Sequence, residues 1–197
     1  MKKYELTEET VTVYGKTLYR IRAGRDFGSV KTGEFGGYIE KEENLSHFDN
    51  AWVFGNAWVF DNARVYDDTW VYGNARVYDN AWVFGNAWVF GNAKVYDDAW
   101  VCGDAKVYGD AWVSGNAEVF NTRHFFVQGP IGSRNGFITF YRTKDNTVEV
   151  RCGCFSGSLQ KFVDRVEETH GGSRYEKEYK LAAELAKVCI RLEGESR

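Results

Sequence analysis

Residues 50–121 read NAWVFG NAWVFD NARVYD DTWVYG NARVYD NAWVFG NAWVFG NAKVYD DAWVCG DAKVYG DAWVSG NAEVFN, twelve contiguous hexapeptides. Valine holds the fourth place in all twelve copies, and alanine holds the second in eleven, Thr69 being the exception. The first place is Asn or Asp, the fifth is aromatic in ten copies, and the sixth is Gly or Asp in eleven. An earlier copy, 44–49, is degenerate and carries Leu45 and His47 at the Ala and Val places.

Four residues of each copy alternate small, large, Val, aromatic. That is a period of two, the mark of a strand with unlike faces. The two residues that follow tolerate positive φ or bond their own backbone, so they make a corner. One face holds Ala and Val and the other holds Trp, Phe, Tyr, Arg and Lys. A narrow tube accommodates Ala and Val and has no room for rings. At three hexads per coil, the pattern predicts a triangular parallel β-helix of about four coils, ~4.8 Å apart and roughly 19 Å tall. Each coil satisfies its backbone groups on the next, which is why several repeats are needed together. An antiparallel meander gives the same spacing but leaves the Ala/Val face needing a separate cover, so it ranks second.

Read from the valine, Val-Phe-Gly-Asn-Ala-Trp resembles the hexapeptide repeat of left-handed β-helix proteins; Val53 with Ala57 and Val83 with Ala87 fit that frame. The resemblance spans residues 44–121, and it implies a left-handed coil. The chain is also similar to uncharacterised proteins of phages and prophages that carry this repeat. The fold hosts acyltransferases, carbonic-anhydrase-like proteins and pure scaffolds, so the likeness implies a fold rather than an activity.

The flanks read differently. Residues 1–43 alternate in Thr10–Tyr14 and Thr17–Ile21 around Gly15-Lys16, a hairpin, and Gly33, Gly36 and Gly37 suit a lead-in or cap. Residues 122–197 form a small α+β domain. Its strands are 124–128, 137–142 and 147–152, and Ser158 caps a helix ended by Gly171-Gly172. A second helix runs over 173–192. The expected fold is mainly β: a hexapeptide β-helix (44–121) between an N-terminal β cap (1–43) and a C-terminal α+β domain (122–197).

Composition narrows the function. A net charge of −3 gives no basic footprint, which speaks against nucleic acid as a partner. The N-terminal MKKYEL has no apolar core of a secretory signal, and no stretch is long enough to span a membrane. The four cysteines are expected as reduced thiols in a cytoplasmic protein.

Seven Trp, five Phe and five Tyr fill seventeen of twenty-four outward places in the repeats. Stacking by eighteen residues predicts columns: Trp52–Trp70–Trp88–Lys106, Trp58–Arg76–Lys94–Trp112 and Arg64–Trp82–Trp100–Glu118. Aromatic and cationic ladders stabilise neighbouring strands by roughly 0.2–1 kcal/mol per pair. So many rings also exceed the patch a monomer leaves exposed. The face carrying Trp52, Trp70 and Trp88 beside Phe54, Tyr72 and Phe90 is therefore the expected interface, covered by the chain's own ends or by another chain.

The glycine-rich 129–136 contains the candidate ligand site, Gly132, Ser133, Arg134 and Asn135, as a loop able to hold an anion through free backbone donors. Other chemistries fit less well. Gly15-Lys16-Thr17 lacks the glycine a phosphate loop needs five places earlier. The corner aspartates lack the pattern of calcium-binding repeats. Cys152-Gly153-Cys154 with His124 or His170 is not a zinc spacing. The three histidines do not match a hexapeptide acyltransferase, and no long loop interrupts the hexads. No cofactor or metal is expected. The resulting expectation is a non-enzymatic, homo-oligomeric binding protein. The β-helix assembles it, and the C-terminal domain takes a small anionic, nucleotide-like host ligand or blocks a host defence protein. An acyltransferase relative and a structural scaffold are the alternatives.

Overall fold

The structure is a computed structural model that describes residues 2–193. Met1 and residues 194–197, which belong to the two expected terminal segments, lie outside the described residues.

The hexapeptides form a parallel β-solenoid. Strands run from β4 (Trp52–Val53) to β15 (Glu118–Val119), one per hexad, and each pairs in parallel with the strand eighteen residues on. Three faces result. The first stacks Trp52, Trp70, Trp88 and Lys106; the second Trp58, Arg76, Lys94 and Trp112; the third Arg64, Trp82, Trp100 and Glu118. The strands are two residues long rather than the expected four, because a corner every six residues leaves no more extended backbone. The sixth place makes that corner: Gly55, Asp61, Asp67, Gly73 and Asp79 all take positive φ.

Inside the tube, the second-place alanines and fourth-place valines are buried at 0–1% exposure. Thr69, in the alanine place, is buried with a hydroxyl that finds no partner. At the corners, first-place side chains form ladders: Asn62 donates to Asn80 (3.1 Å), which donates to Asp98 (3.2 Å). Asn74, Asn92 and Asp110 repeat this at 3.2 and 3.0 Å. An amide both donates and accepts, whereas a carboxylate only accepts, so each ladder terminates in Asp.

The solenoid has about five turns rather than four. β3 (Phe35–Ile39) lies parallel under β5 (Trp58–Val59), and Leu45 bridges Val65, so the degenerate copy belongs to an extra coil. Gly36 and Gly37 permit this approach: a Cβ on Gly36 would lie 2.6 Å from the Val53 carbonyl oxygen, and one on Gly37 2.5 Å from that of Ala57. β1 (Tyr4–Val13) and β2 (Lys16–Ala23) form the expected hairpin through Tyr14 and Gly15, both at positive φ, and extend the same sheet. Tyr4, Ile21, Phe27, Val30 and Leu45 close the N-terminal end.

The other end is closed by an antiparallel sheet: β16 (Phe125–Ile131), β17 (Gly136–Arg142), β18 (Val148–Cys152) and β19 (Phe155–Ser158). Alternation in β17 gives the sheet two jobs. Thr139 and Tyr141 face the last coil, where Thr139 Oγ1 accepts from the Trp112 N–H at 3.0 Å and Tyr141 joins the solenoid core. Ile138 and Phe140 face α1 (Leu159–His170) and α2 (Arg174–Cys189), in a second core with Val150, Phe162, Val166 and Tyr179. Ser158 and Ser173 cap the two helices with their side chains. Arg142, 2% exposed, joins the sheet to the solenoid through Glu118 at 2.9 Å, and also pairs with Glu193 at 2.8 Å. Among the described residues no helix is long and apolar enough to cross a membrane.

Candidate functional site

Along the solenoid, rings repeat at the spacing of the strands and lie face to face. Trp70 and Trp88 stack at 5.4 Å and 7°, and Tyr72 and Phe90 at 4.8 Å and 2°. Trp82–Trp100 and Phe60–Tyr78–Tyr96 do the same. Cations cover the faces at column ends: Lys106 lies 4.6 Å from the Trp88 centroid and Lys144 4.2 Å from that of Trp100. The faces of these rings are thus used within the chain, and half-buried edges point outward.

The nominated interface divides on this basis. Trp52 is fully buried beneath the N-terminal cap, edge-on to Phe27 at 5.2 Å and Tyr4 at 6.1 Å. Trp70, Trp88, Phe54, Tyr72 and Phe90 stay half-buried on the open side. The chain's own N-terminus therefore takes the first position of that face.

The second face is different. Arg76 and Lys94 sit side by side in register on β8 (Arg76–Val77) and β11 (Lys94–Val95). Each lies over a tryptophan, Arg76 at 4.3 Å from Trp58 and Lys94 at 4.2 Å from Trp112. Among the described residues neither pairs with a carboxylate. Burial, and then Arg76, hold the Lys94 ammonium below its ordinary pKa. Like charges directly opposite on a sheet repel, and here the contacts of the two cations with Trp58 and Trp112 offset that repulsion.

Over these two cations stands the C-terminal sheet, and between them runs a cleft of about 1540 Å³. Its far wall supplies Arg134, Arg151, Lys161 and Arg165. Arg151 leaves β18 on the solenoid-facing side, 5.4 Å over Tyr96, and its buried Nε finds no hydrogen-bond partner. Three acids, Asp110, Asp164 and Glu168, also line the cleft. Trp112 and the exposed Phe137 contribute rings to the lining.

The glycine-rich segment is shorter as a loop than expected. Residues 129–131 belong to β16 and Gly136 to β17, so 132–135 remain as a hairpin turn. The Gly132 N–H donates to Glu178 Oε2 at 2.7 Å, placing a carboxylate where an anion would sit. Gly132 has no room for a side chain: a Cβ would lie 1.9 Å from the Tyr179 hydroxyl oxygen. Asn135, at φ 47°, closes the turn and donates its N–H to the Gly132 carbonyl at 3.2 Å. Ser133 and Arg134 are exposed and line the cleft. The segment thus contributes a hydroxyl and a guanidinium to the cleft, not a cradle of backbone donors.

Cys152, Cys154 and His170 line the cleft, and the other thiols and histidines lie elsewhere. Cys152 is half-buried and Cys154 exposed, and Gly153 between them turns at positive φ and interrupts the strand alternation. Burial pushes the Cys152 thiol up, and burial pushes the Tyr179 phenol beside it up to about 12, so neither is an anion at neutral pH. His47 stacks on Tyr4 at 4.2 Å, His124 is buried beside Phe120, and His170 reaches the cleft.

Sequence reading placed Arg76 and Lys94 in one column without assigning them a role. The available signal was their juxtaposition without an acid. Arg151, Lys161 and Phe137 carried no signal, because the docking of the C-terminal sheet brings them to the cleft.

Compared with known proteins, the repeat is similar to the family described as YdcK Beta solenoid repeat, which matches residues 57–73, 71–85 and 75–90. A search of curated proteins found no match.

Proposed function

We propose that this protein is a non-enzymatic binding protein, with the β-solenoid as a rigid scaffold and the cleft as the site of an anionic ligand. The observation that carries the reading is the Arg76–Lys94 pair, in register and without a carboxylate, facing further cations across the cleft. Two neighbouring cations that pair with no carboxylate among the described residues are free to make charge-assisted hydrogen bonds to an anion placed between them. Burial keeps the Cys152 thiol and the Tyr179 phenol of the cleft protonated, which supports binding rather than nucleophilic catalysis by these two groups.

Assembly belongs to the same proposal. The chain closes both ends of its own solenoid, so self-association uses the sides, where Trp70 and Trp88 present their edges. A left-handed, phage-type repeat and a cytoplasmic setting with a host ligand or host protein as target follow from the sequence resemblance and are part of this reading.

The test is native mass spectrometry of protein purified from its natural host, alongside calorimetry with inorganic pyrophosphate. An oligomer carrying extra mass, with pyrophosphate binding lost in the R76Q/K94Q double variant, is the expected result. An unliganded monomer that ignores pyrophosphate overturns the proposal.

A further inference from the structure

We infer that the ligand of this cleft carries two separated anionic groups joined through a flat ring system, the chemistry of a nucleoside bearing phosphates at two positions. The inference rests on the anion-binding reading above and adds the class of ligand.

Size is the first argument. Small-molecule sites usually enclose about 300–1,000 Å³, and this cleft, at about 1540 Å³, is larger than a lone phosphate requires. The distribution of charge is the second. Arg76 and Lys94 are fixed on the solenoid wall by the register of two paired strands, while Arg151 and Lys161 belong to the sheet and helix of the other wall, where Arg165 is already paired with Glu168 at 3.3 Å. One anion satisfies one wall, and a ligand with two anionic ends satisfies both.

The third argument is the rings. Trp70 and Trp88, and Trp82 and Trp100, stack on each other. Among the described residues Trp112 stacks on no other ring and has the Lys94 ammonium over it, and Phe137 is 41% exposed; both line the cleft. An aromatic face beside a cation is the surface on which a nucleobase stacks.

The acids complete the selection. Asp110 ends its ladder at the cleft, and on the opposite side stand Asp164, which accepts from Gln160 at 2.7 Å, and Glu168, which pairs with Arg165 at 3.3 Å. These carboxylates accept from the amino and hydroxyl groups of a nucleoside, and they repel a continuous polyanion such as a polyphosphate or a nucleic-acid strand.

The experiment is calorimetry on the full chain with four probes: pyrophosphate, a nucleoside monophosphate, a nucleoside 3′,5′-bisphosphate and a long-chain polyphosphate. The bisphosphate is expected to bind at least about tenfold more tightly than pyrophosphate or the monophosphate, one stacked ring or one further ion pair each being worth that much. Phe137→Ala, at an exposed position, should weaken the bisphosphate about tenfold and leave pyrophosphate unchanged. Equal affinity for pyrophosphate and the bisphosphate, or tightest binding of the polyphosphate, overturns the inference while leaving anion binding intact. Equal loss of both ligands in the Phe137 variant does the same. Silence with all four probes overturns the anion-binding reading itself.

Discussion

On the first face of the solenoid Trp70 and Trp88 lie parallel at 5.4 Å, and Lys106 covers the outer ring. On the second face the same two strand positions hold Arg76 and Lys94, which lean onto Trp58 and Trp112 and, among the described residues, pair with no carboxylate. Backbone path and interior valines are alike on both. The outward third place carries the contrast, and the sixth place changes with it, from Gly73 and Gly91 to Asp79 and Asp97. In the proposed reading, the ligand lies where the repeat departs from its own rule. That second face is also the one covered by the C-terminal sheet, which turns two surface cations into the floor of a cleft.

The largest effect should come from separating the cover from the solenoid. Arg142→Met removes the buried guanidinium that holds Glu118 and Glu193. Breaking a buried pair from one side costs about 3–5 kcal/mol, and with Glu118 part-buried and Glu193 exposed the loss should fall at the lower end, about 3 kcal/mol, measurable by urea unfolding. A loss below about 1 kcal/mol would show that the sheet is held by its apolar contacts alone.

Next is the contrast between the faces. Trp88→Ala removes a stacked ring and the seat of Lys106, and should cost about 2–3 kcal/mol, discounted from a fully buried aromatic. Trp112→Ala, with no ring stacked on it, should cost about half as much. Equal costs would mean that ring stacking does not distinguish the faces.

A smaller effect of opposite sign is expected inside the tube. Thr69→Ala restores the residue found at the other eleven second places and removes a buried hydroxyl without a partner. It should stabilise by about 1 kcal/mol, seen as a rise in Tm. Destabilisation would mean that the lost methyl packing outweighs the hydroxyl.

The smallest effect on stability belongs to the second face itself. R76Q/K94Q relieves a repulsion and loses two cation–π contacts of similar size, so unfolding free energy should shift by no more than about 0.5 kcal/mol. A large loss would make the pair structural and remove the reason to read it as a binding floor.

Much of this fold was legible in advance. The interior Ala and Val, the eighteen-residue columns and the hairpin at Gly15 follow from period, side-chain size and turn chemistry, each stated within a few residues and repeated. The extra coil was harder to see, because 36–49 keeps the geometry and not the hexapeptide. The expected open loop at 129–136 became two strands and a tight turn, since β17 supplied backbone partners that a local reading does not contain. Trp52 matched its column in sequence, yet the N-terminal Tyr4 and Phe27 bury it.

The sequence by itself determined the coil: a six-residue period with small interior residues has one economical packing, and every copy restates it. Only the tertiary structure decided which face is covered and what chemistry gathers there. Arg151, Phe137 and Lys161 lie far along the chain from Arg76 and Lys94, and the alternation of one strand, with Thr139 and Tyr141 toward the solenoid and Ile138 and Phe140 toward the helices, brings them together. That juxtaposition depends on how two cores dock through a shared strand, which no local pattern in the chain encodes.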